Sequence, residues 1–444
     1  MILGHADVNG KIAVFIGGGG LSKEPHYRAL SAWGLRTVIV RSPADAISDD
    51  CAELILSFEP LDEHVNDERN ALSIADLIRQ HGINPDCVLT LWEDCGPLAA
   101  RVAQVFGLRG IAPDAATVAK SKLQTQSRLS ASPNQEIASL AVQSVSVESP
   151  QGLGPALSRT GLPAILKLEH GSSAAGVHVV TNVSDALDHW TSINSSLTQE
   201  SDCPGVGLGF GTHVIVAERV VGTEHDVDIV LWEGSAIAAF VTDNGPTRLP
   251  RCAETTAIMP STLDRQAQEA LVRAAEMACQ GLGIRSAVLN VEMIKTTHGI
   301  KVIDINARMG GFYIRDWILR LWNYDLLFAS VCCALGVRPP VSGPPCGWIA
   351  GAMVLPSVHS NWVSREANRR RLFAHTRHQR EIVNVFDEHV KVMAAVDEPF
   401  GNVAVWAETP GAAIQSLIKI WAEWGLMAHD PDFEKLLPTV FATV

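Results

Sequence analysis

Two apolar stretches, VLNVEMIK (residues 288–295) and KVIDINARMGG (residues 301–311), carry Glu292, Asp304 and Asn306 in the middle of strand-like runs. Paired antiparallel across a turn at His298 and Gly299, they bring these three side chains together. Such hard oxygen donors suit Mg²⁺, which takes carboxylates, phosphate oxygens and water. Acids inside apolar strands are costly to bury unpaired, so a purely structural role needs a matching cation, which Arg308 or Lys295 can supply.

A second candidate is AILKLEHGSSAAGVHVV (residues 164–180), read as a strand, a small-residue turn and a returning strand. Ser172, Ser173, Ala174, Ala175 and Gly176 let the backbone close around an anion, and Lys167 on the entering strand adds a positive charge. No Gly-Lys-Ser/Thr follows and a strand rather than a helix comes next, so this is not a Walker loop. Alone it reads more readily as an ordinary β-hairpin turn. A third candidate is VIVAERVVGTEHDVDIV (residues 214–230), where strand alternation puts Glu224, Asp226 and Asp228 on one face and His225 on the other. That face is either solvated or the wall of a nucleotide cleft.

These candidates need a framework. With 444 residues, 47% hydrophobic and 19% charged, the chain suits two to four packed domains. Its formal net charge of −13 disfavours a nucleic-acid partner. Nine cysteines include the neighbours Cys332 and Cys333 but no CxxC spacing, so free thiols are expected. No signal-type segment precedes the first strand candidate, and the longest apolar run, residues 326–337, is too short to span a bilayer. A cytoplasmic location without membrane contact is the expectation.

Strand candidates at residues 12–17, 37–40, 52–58 and 87–92 alternate with helical stretches, the rhythm of βαβ units and a parallel sheet. The glycines at 17–20 follow the first strand, but Ser22 replaces the third fingerprint glycine and Arg41 stands where a ribose-binding acid would end the second strand. A dinucleotide oxidoreductase is therefore a distant alternative. Lys120, Lys122 and Arg128 lie on a helix-like segment at 113–129, and a strand is expected within 140–147. A Gly/Pro-rich break at 199–211 precedes long alternating strands of an antiparallel unit, and RPPVSGPP (residues 338–345) precedes a last region that opens on GWIAGAMVL. The expected domains are 1–112, 113–205, 206–344 and 345–444.

Taken in order, the cradle with Lys167, the acidic strand and the carboxylate pair followed by Arg308 resemble the ATP-grasp amino-acid ligases over about 112–340. LKLEHGSSAAGV, ERVVGTEHDVDIVL, FVTDNGPTRLPRCAETTAIMPS and INARMGGFYIRDWILRLWNYDLL look most like the catalytic portion of the carnosine synthases. The resemblance implies an α/β (α+β ATP-grasp) fold, with a parallel-sheet N-terminal domain, a central nucleotide clamp and a C-terminal lid-like subdomain. It implies that Lys122 and Lys167 contact the nucleotide phosphates, with Lys120 a rival for the first role, and that Ser172, Ser173 and Gly176 cradle them. Glu218 and the backbone at Val220 would meet adenine, and Glu224 the ribose.

By the same resemblance Glu292, Asp304 and Asn306 would hold Mg²⁺, with Mn²⁺ as an alternative. Asp304 stands where the family more often has a longer glutamate. Arg308, Gly310 and Gly311 would border the reacting carboxylate, with Arg308, Lys167 and Asn306 in catalytic roles. Glu254, Thr255, Arg315 and Trp317 would face the amino-acid pocket. The implied reaction is ATP with two small amino acids giving a dipeptide, ADP and phosphate. A ligase for another carboxylate and amine pair and a non-catalytic nucleotide-binding regulator are the alternatives, and a homodimer is left open.

Overall fold

The computed structural model describes residues 8–172, 174–197, 207–374, 381–385, 397 and 399–439, with side chains at 373–374 and 381–385 outside the description. Its first layer is a parallel sheet of β1 (Ile12–Ile16), β2 (Arg36–Arg41), β3 (Leu54–Ser57) and β4 (Cys87–Leu89), in the order β3-β2-β1-β4. Near-continuous apolar runs such as IAVFI fit strands covered on both faces. Strand β4 is shorter than the expected 87–92. The Thr90 hydroxyl both accepts from the Trp92 N–H at 2.9 Å and donates to the Trp92 carbonyl at 3.0 Å, turning the chain toward a short helical turn at Glu93–Cys95.

A small antiparallel sheet follows, of β5 (Ser144–Val147), β6 (Ala164–Leu168), β7 (His178–Val180) and β8 (Val214–Glu218), in the order β5-β8-β6-β7. Its apolar face is covered by the helices Leu153–Thr160 and Val183–Ser196. Because β8 pairs with both β5 and β6, this sheet continues past the expected 205/206 boundary.

The body is an eight-stranded antiparallel sheet built from β9 (Thr223–Trp232), β10 (Ser235–Asn244), β11 (Thr256–Met259), β12 (Ala287–Thr296), β13 (Gly299–Asn306), β14 (Trp348–Val354), β15 (Glu381–Val385) and β16 (Gly401–Ala407). Its order is β13-β12-β9-β10-β11-β14-β16-β15. Strand β14 pairs with β11 on one side and β16 on the other, so one sheet runs across the expected 344/345 boundary. The amphipathic helix Arg265–Gly281 buries Leu271, Ala275 and Ala278 against this sheet. The apolar helix Leu326–Leu335 shares a core with Phe15 and Tyr27 of the first layer and Phe240 of the large sheet, which fastens the two together. Among the described residues no single helix is long and apolar enough to cross a membrane.

Candidate active site

Register on the large sheet does most of the positioning. Glu292 on β12 lies opposite Asp304 on β13 and opposite Asp226 on β9, while Asn290 lies opposite Asn306 and Asp228. Directly opposed residues of antiparallel strands share a face, so these side chains form one polar field. It opens on a cavity of about 550 Å³ lined also by Lys122, Lys167, Ser172, Glu218, Val220, Glu224, Glu254, Arg308 and Gly311.

Lys122 opens the helix Lys122–Ser130, whose N-cap is Ser121. The Ser121 hydroxyl accepts from the Gln124 N–H at 3.0 Å and donates to the Glu169 carboxylate just beyond β6, and the Lys122 N–H donates to the Glu169 carbonyl at 3.1 Å. The helix start is thereby tied to the small sheet. Lys122 Nζ donates to Asp304 Oδ2 at 2.5 Å and to the Gly171 carbonyl at 2.8 Å. Lys167, on β6, makes no hydrogen bond or ion pair among the described residues. Burial and the neighbouring Lys122 push its ammonium down to about 8.

Between β6 and β7 the loop turns through left-handed backbone at Ala174 (φ 54°) and Gly176 (φ 67°). Ala174 bears a Cβ in a conformation that disfavours one, a strain consistent with a functional loop. The Ser172 carbonyl accepts from the Ala175 N–H at 2.9 Å, and Ser172 lines the cavity. Ser173 lies outside the described residues. Gly176 does not line the cavity; its carbonyl accepts from His189 Nε2 at 3.0 Å.

The acids are crowded. Burial pushes Glu224 up to about 7, reinforced by Glu254. Burial likewise pushes Asp228 up to about 7, against the Gly310 N–H that donates to it at 2.9 Å. Glu292 is raised by burial and by Asp304, and Asp226 by burial and by Glu292. One carboxylate oxygen of Asp226 is buried without a hydrogen-bond partner among the described residues. Asn306 donates to Glu292 Oε1 at 3.0 Å and to Asn290 Oδ1 at 3.1 Å. Burial and mutual repulsion thus disfavour full ionisation of this field, and its oxygen donors are of the type a divalent cation takes. Among the described residues no three acidic, histidine or cysteine side chains form a group that could by itself hold a metal ion.

Several expected residues sit elsewhere. Lys120 is buried between Glu93 Oε1 at 2.8 Å and Asp94 Oδ1 at 2.6 Å, away from the main cavity. Arg315 forks onto Asp325 at 2.8 and 2.7 Å and meets His26 at 3.1 Å, so its guanidinium is spent inside the fold. Trp317 is fully buried against Tyr313, and the helix Ile314–Trp322 turns it into the core. Thr255 donates to the Pro246 carbonyl at 2.8 Å and, one residue along an extended chain from Glu254, faces away from the cavity. Gly310 uses its N–H on Asp228 and does not line the cavity. His225 is on the opposite face, bonded to Asp243 Oδ1 at 2.9 Å.

Tyr313 and Glu93 are among the lining residues to which the sequence assigned no role. Tyr313 donates its hydroxyl to Glu254 Oε1 at 2.5 Å. Glu93, from the first domain, accepts from Arg308 at 2.6 Å. A signal existed for Glu93: it follows β4 at the carboxyl edge of a parallel sheet, where ligands of such sheets collect.

Residues 160–316, which hold the loop, the acidic strand and the paired carboxylates, match the family model described as an ATP-grasp domain. The chain carries an ATP-grasp domain. Over 426 residues it is 38% identical to carnosine synthase 1 of Homo sapiens, covering 94% of this chain and 51% of that protein. The chain thus spans about half the length of the curated relatives it matches. The ATP-grasp architecture is also that of an L-amino acid ligase from Bacillus licheniformis, with TM-score 0.66 and 15% identity, covering 94% of this chain and 97% of that one. A third similarity is to the biotin carboxylase domain of a Hydrogenobacter thermophilus 2-oxoglutarate carboxylase, solved with MgADP, ADP and bicarbonate. Its TM-score is 0.68 at 14% identity, covering 97% and 96% of the two chains.

Proposed function

We propose that this chain is an ATP-dependent carboxylate–amine ligase that joins two small amino acids through an acyl phosphate and releases ADP and phosphate. The observation that carries the reading is the meeting, in one cavity, of Lys122 and Lys167 with Glu292, Asp304 and Asn306 from β12 and β13 and Arg308 just after β13. The relative named carnosine synthase 1 directs the substrate choice to the parts of carnosine, β-alanine and histidine.

An amine does not displace hydroxide from a carboxylate at neutral pH, so the carboxylate must first be activated, here by taking a phosphoryl group. Lys122 and Lys167 hold the polyphosphate, and their charge offsets oxygens that grow more negative during transfer. Glu218 and the backbone at Val220 bound the adenine end, and Glu224 accepts from the ribose. Glu292, Asp304 and Asn306 are the residues that would hold Mg²⁺ or Mn²⁺. When bound, that ion neutralises the transferring phosphoryl oxygens. Arg308 and Gly311 border the carboxylate, where the guanidinium stabilises first the acyl phosphate and then the tetrahedral oxyanion. Glu254, held by Tyr313, faces the amino-acid end.

The eight free cysteines described, together with ATP as co-substrate, support a cytoplasmic setting. The decisive experiment measures ADP release over a matrix of amino-acid pairs including β-alanine with histidine, with product identification by mass spectrometry. Release that needs both amino acids and yields their dipeptide is the expected result. A different pair would move the chain to another ligase specificity, and nucleotide binding without amino-acid-dependent release would end the ligase reading.

A further inference from the structure

We propose that Glu93 is a positioning residue for Arg308, aiming the guanidinium at the reacting end of the cavity from the N-terminal domain. The inference rests on the reading above, in which Arg308 meets the reacting carboxylate.

Glu93 opens the helical turn Glu93–Cys95 that follows β4, and 215 residues separate it from Arg308. Both of its oxygens are taken by cations: Oε2 by Arg308 Nη2 at 2.6 Å and Oε1 by Lys120 Nζ at 2.8 Å. Lys120 is held in turn by Asp94 Oδ1 at 2.6 Å. Burial opposes ionisation of Glu93, but Lys120 and Arg308 outweigh it and hold the carboxyl well below the usual range. Two cations at ion-pair distance thus favour its anionic form.

Arg308 is also fixed by a second bond, from Nη1 to the Met309 carbonyl at 2.9 Å. An arginine held by two nitrogens loses the rotamer freedom of its long side chain before substrate arrives, which lowers the cost of reaching the reactive geometry. Arg308 still lines the cavity. Glu93 lines it too, so a substrate ammonium is the competing partner. With cations already at 2.6 and 2.8 Å on its two oxygens, that role is the weaker one. The same carboxylate also fastens Lys120, two residues before Lys122, so one side chain of the first domain sets the placement of the phosphate-side and carboxylate-side cations together.

The test compares wild type, Glu93→Gln and Glu93→Asp. In steady-state assays Glu93→Gln should lower kcat roughly 10–100-fold, as loss of a supporting partner commonly does, while the KM for ATP and for both amino acids stays within about 2-fold; Glu93→Asp should recover part of the loss. A readout independent of catalysis is phenylglyoxal modification of Arg308 in the ligand-free protein, followed by peptide mass mapping. Arg308 should be modified faster in Glu93→Gln than in wild type, and the Asp variant carries this comparison if the Gln variant fails to fold. Unchanged Arg308 reactivity overturns the proposal. So does a loss confined to the KM of one amino acid, which would make Glu93 a substrate ligand. A wild type without amino-acid-dependent ADP release would remove the ligase reading yet leave the labelling comparison to decide the Glu93–Arg308 relationship.

Discussion

Lys122 Nζ stands 2.5 Å from Asp304 Oδ2, across 182 residues of chain. The pair joins the start of a helix beside the small sheet to β13 of the large one, and both side chains are only 11% exposed. Lys122 is read as a phosphate contact and Asp304 as a cation ligand, so in the ligand-free protein each occupies the other.

That mutual occupation predicts opposite responses from one substitution. Lys122→Met leaves Asp304 beside Glu292 without its counter-charge, and breaking a buried pair costs about 3 kcal/mol. Thermal denaturation should register the loss. The freed carboxylate should meanwhile bind a divalent cation more tightly, while the KM for ATP rises. Calorimetric titration of Mn²⁺ without nucleotide reads the first effect. Equal or weaker Mn²⁺ binding than in wild type would show that Lys122 and the cation do not compete for Asp304.

Lys167 makes a pH prediction. Its ammonium lies at about 8, against an ordinary 10.5, because burial and Lys122 disfavour the charge. A polyphosphate favours the charged form, so ATP binding at and above pH 8 should take up a proton and weaken as pH rises. Titration calorimetry in buffers of different ionisation enthalpy measures this directly. Between the lowered and ordinary values the unfolded chain binds more protons than the folded one, so this residue's contribution to stability grows with pH there. Lys167→Met should therefore bind ATP poorly without lowering the melting temperature at neutral pH. Proton-neutral ATP binding in wild type would take Lys167 out of the phosphate site.

What the sequence made legible follows its periodicities. Glu292, Asp304 and Asn306 could be placed together because two alternating strands around one turn leave few registers, and the observed pairing is Glu292 with Asp304. His225 was placed on the far face by the same alternation. Arg315 and Trp317 could not be judged that way. The partner that buries Arg315, Asp325, is ten residues on and caps another helix, and Trp317 points along a helix face that packs inward. Glu93 carried only its place after β4 as a signal, and its pairing was hidden for a different reason. Its partner Arg308 reaches it only when the first domain docks on the large sheet, and no local pattern records that contact. The sheet that continues across residues 344–345 was likewise hidden, since the proline-rich linker reads as a boundary while β11 and β14 pair across it.

Glu292→Gln should separate stability from activity. Burial and Asp304 raise the Glu292 carboxyl above its ordinary range, so the folded state binds more protons than the unfolded one above that range and stability falls as pH rises through it. The amide removes this penalty. The variant should melt at the wild-type temperature below about pH 4, where the carboxyl is protonated in both states, and above it near neutrality, where an unperturbed carboxylate is ionised. As a poorer cation ligand, it should also lose about 10²-fold or more in kcat, in part restored by excess Mg²⁺. Full activity at low Mg²⁺ would remove Glu292 from the metal set, whatever the melting curve shows.

The proposed order of bond making fixes the fate of one oxygen. If the donor carboxylate attacks the γ-phosphate of ATP, one carboxylate oxygen becomes the bridge of the acyl phosphate and leaves with phosphorus when the amine displaces it. Lys122, Lys167 and Arg308 are disposed to offset charge on the phosphoryl and acyl oxygens, and no nucleophilic side chain is required to carry the acyl group. The amine must arrive uncharged, which requires a proton acceptor near the amino-acid end of the cavity. With both carboxyl oxygens of the donor labelled with ¹⁸O, mass spectrometry should find one labelled oxygen in each released phosphate and the other in the new amide, with ADP as the nucleotide product. Label-free phosphate would mean that the carboxylate never attacked phosphorus. AMP with pyrophosphate would mean adenylation instead and would end the acyl-phosphate proposal.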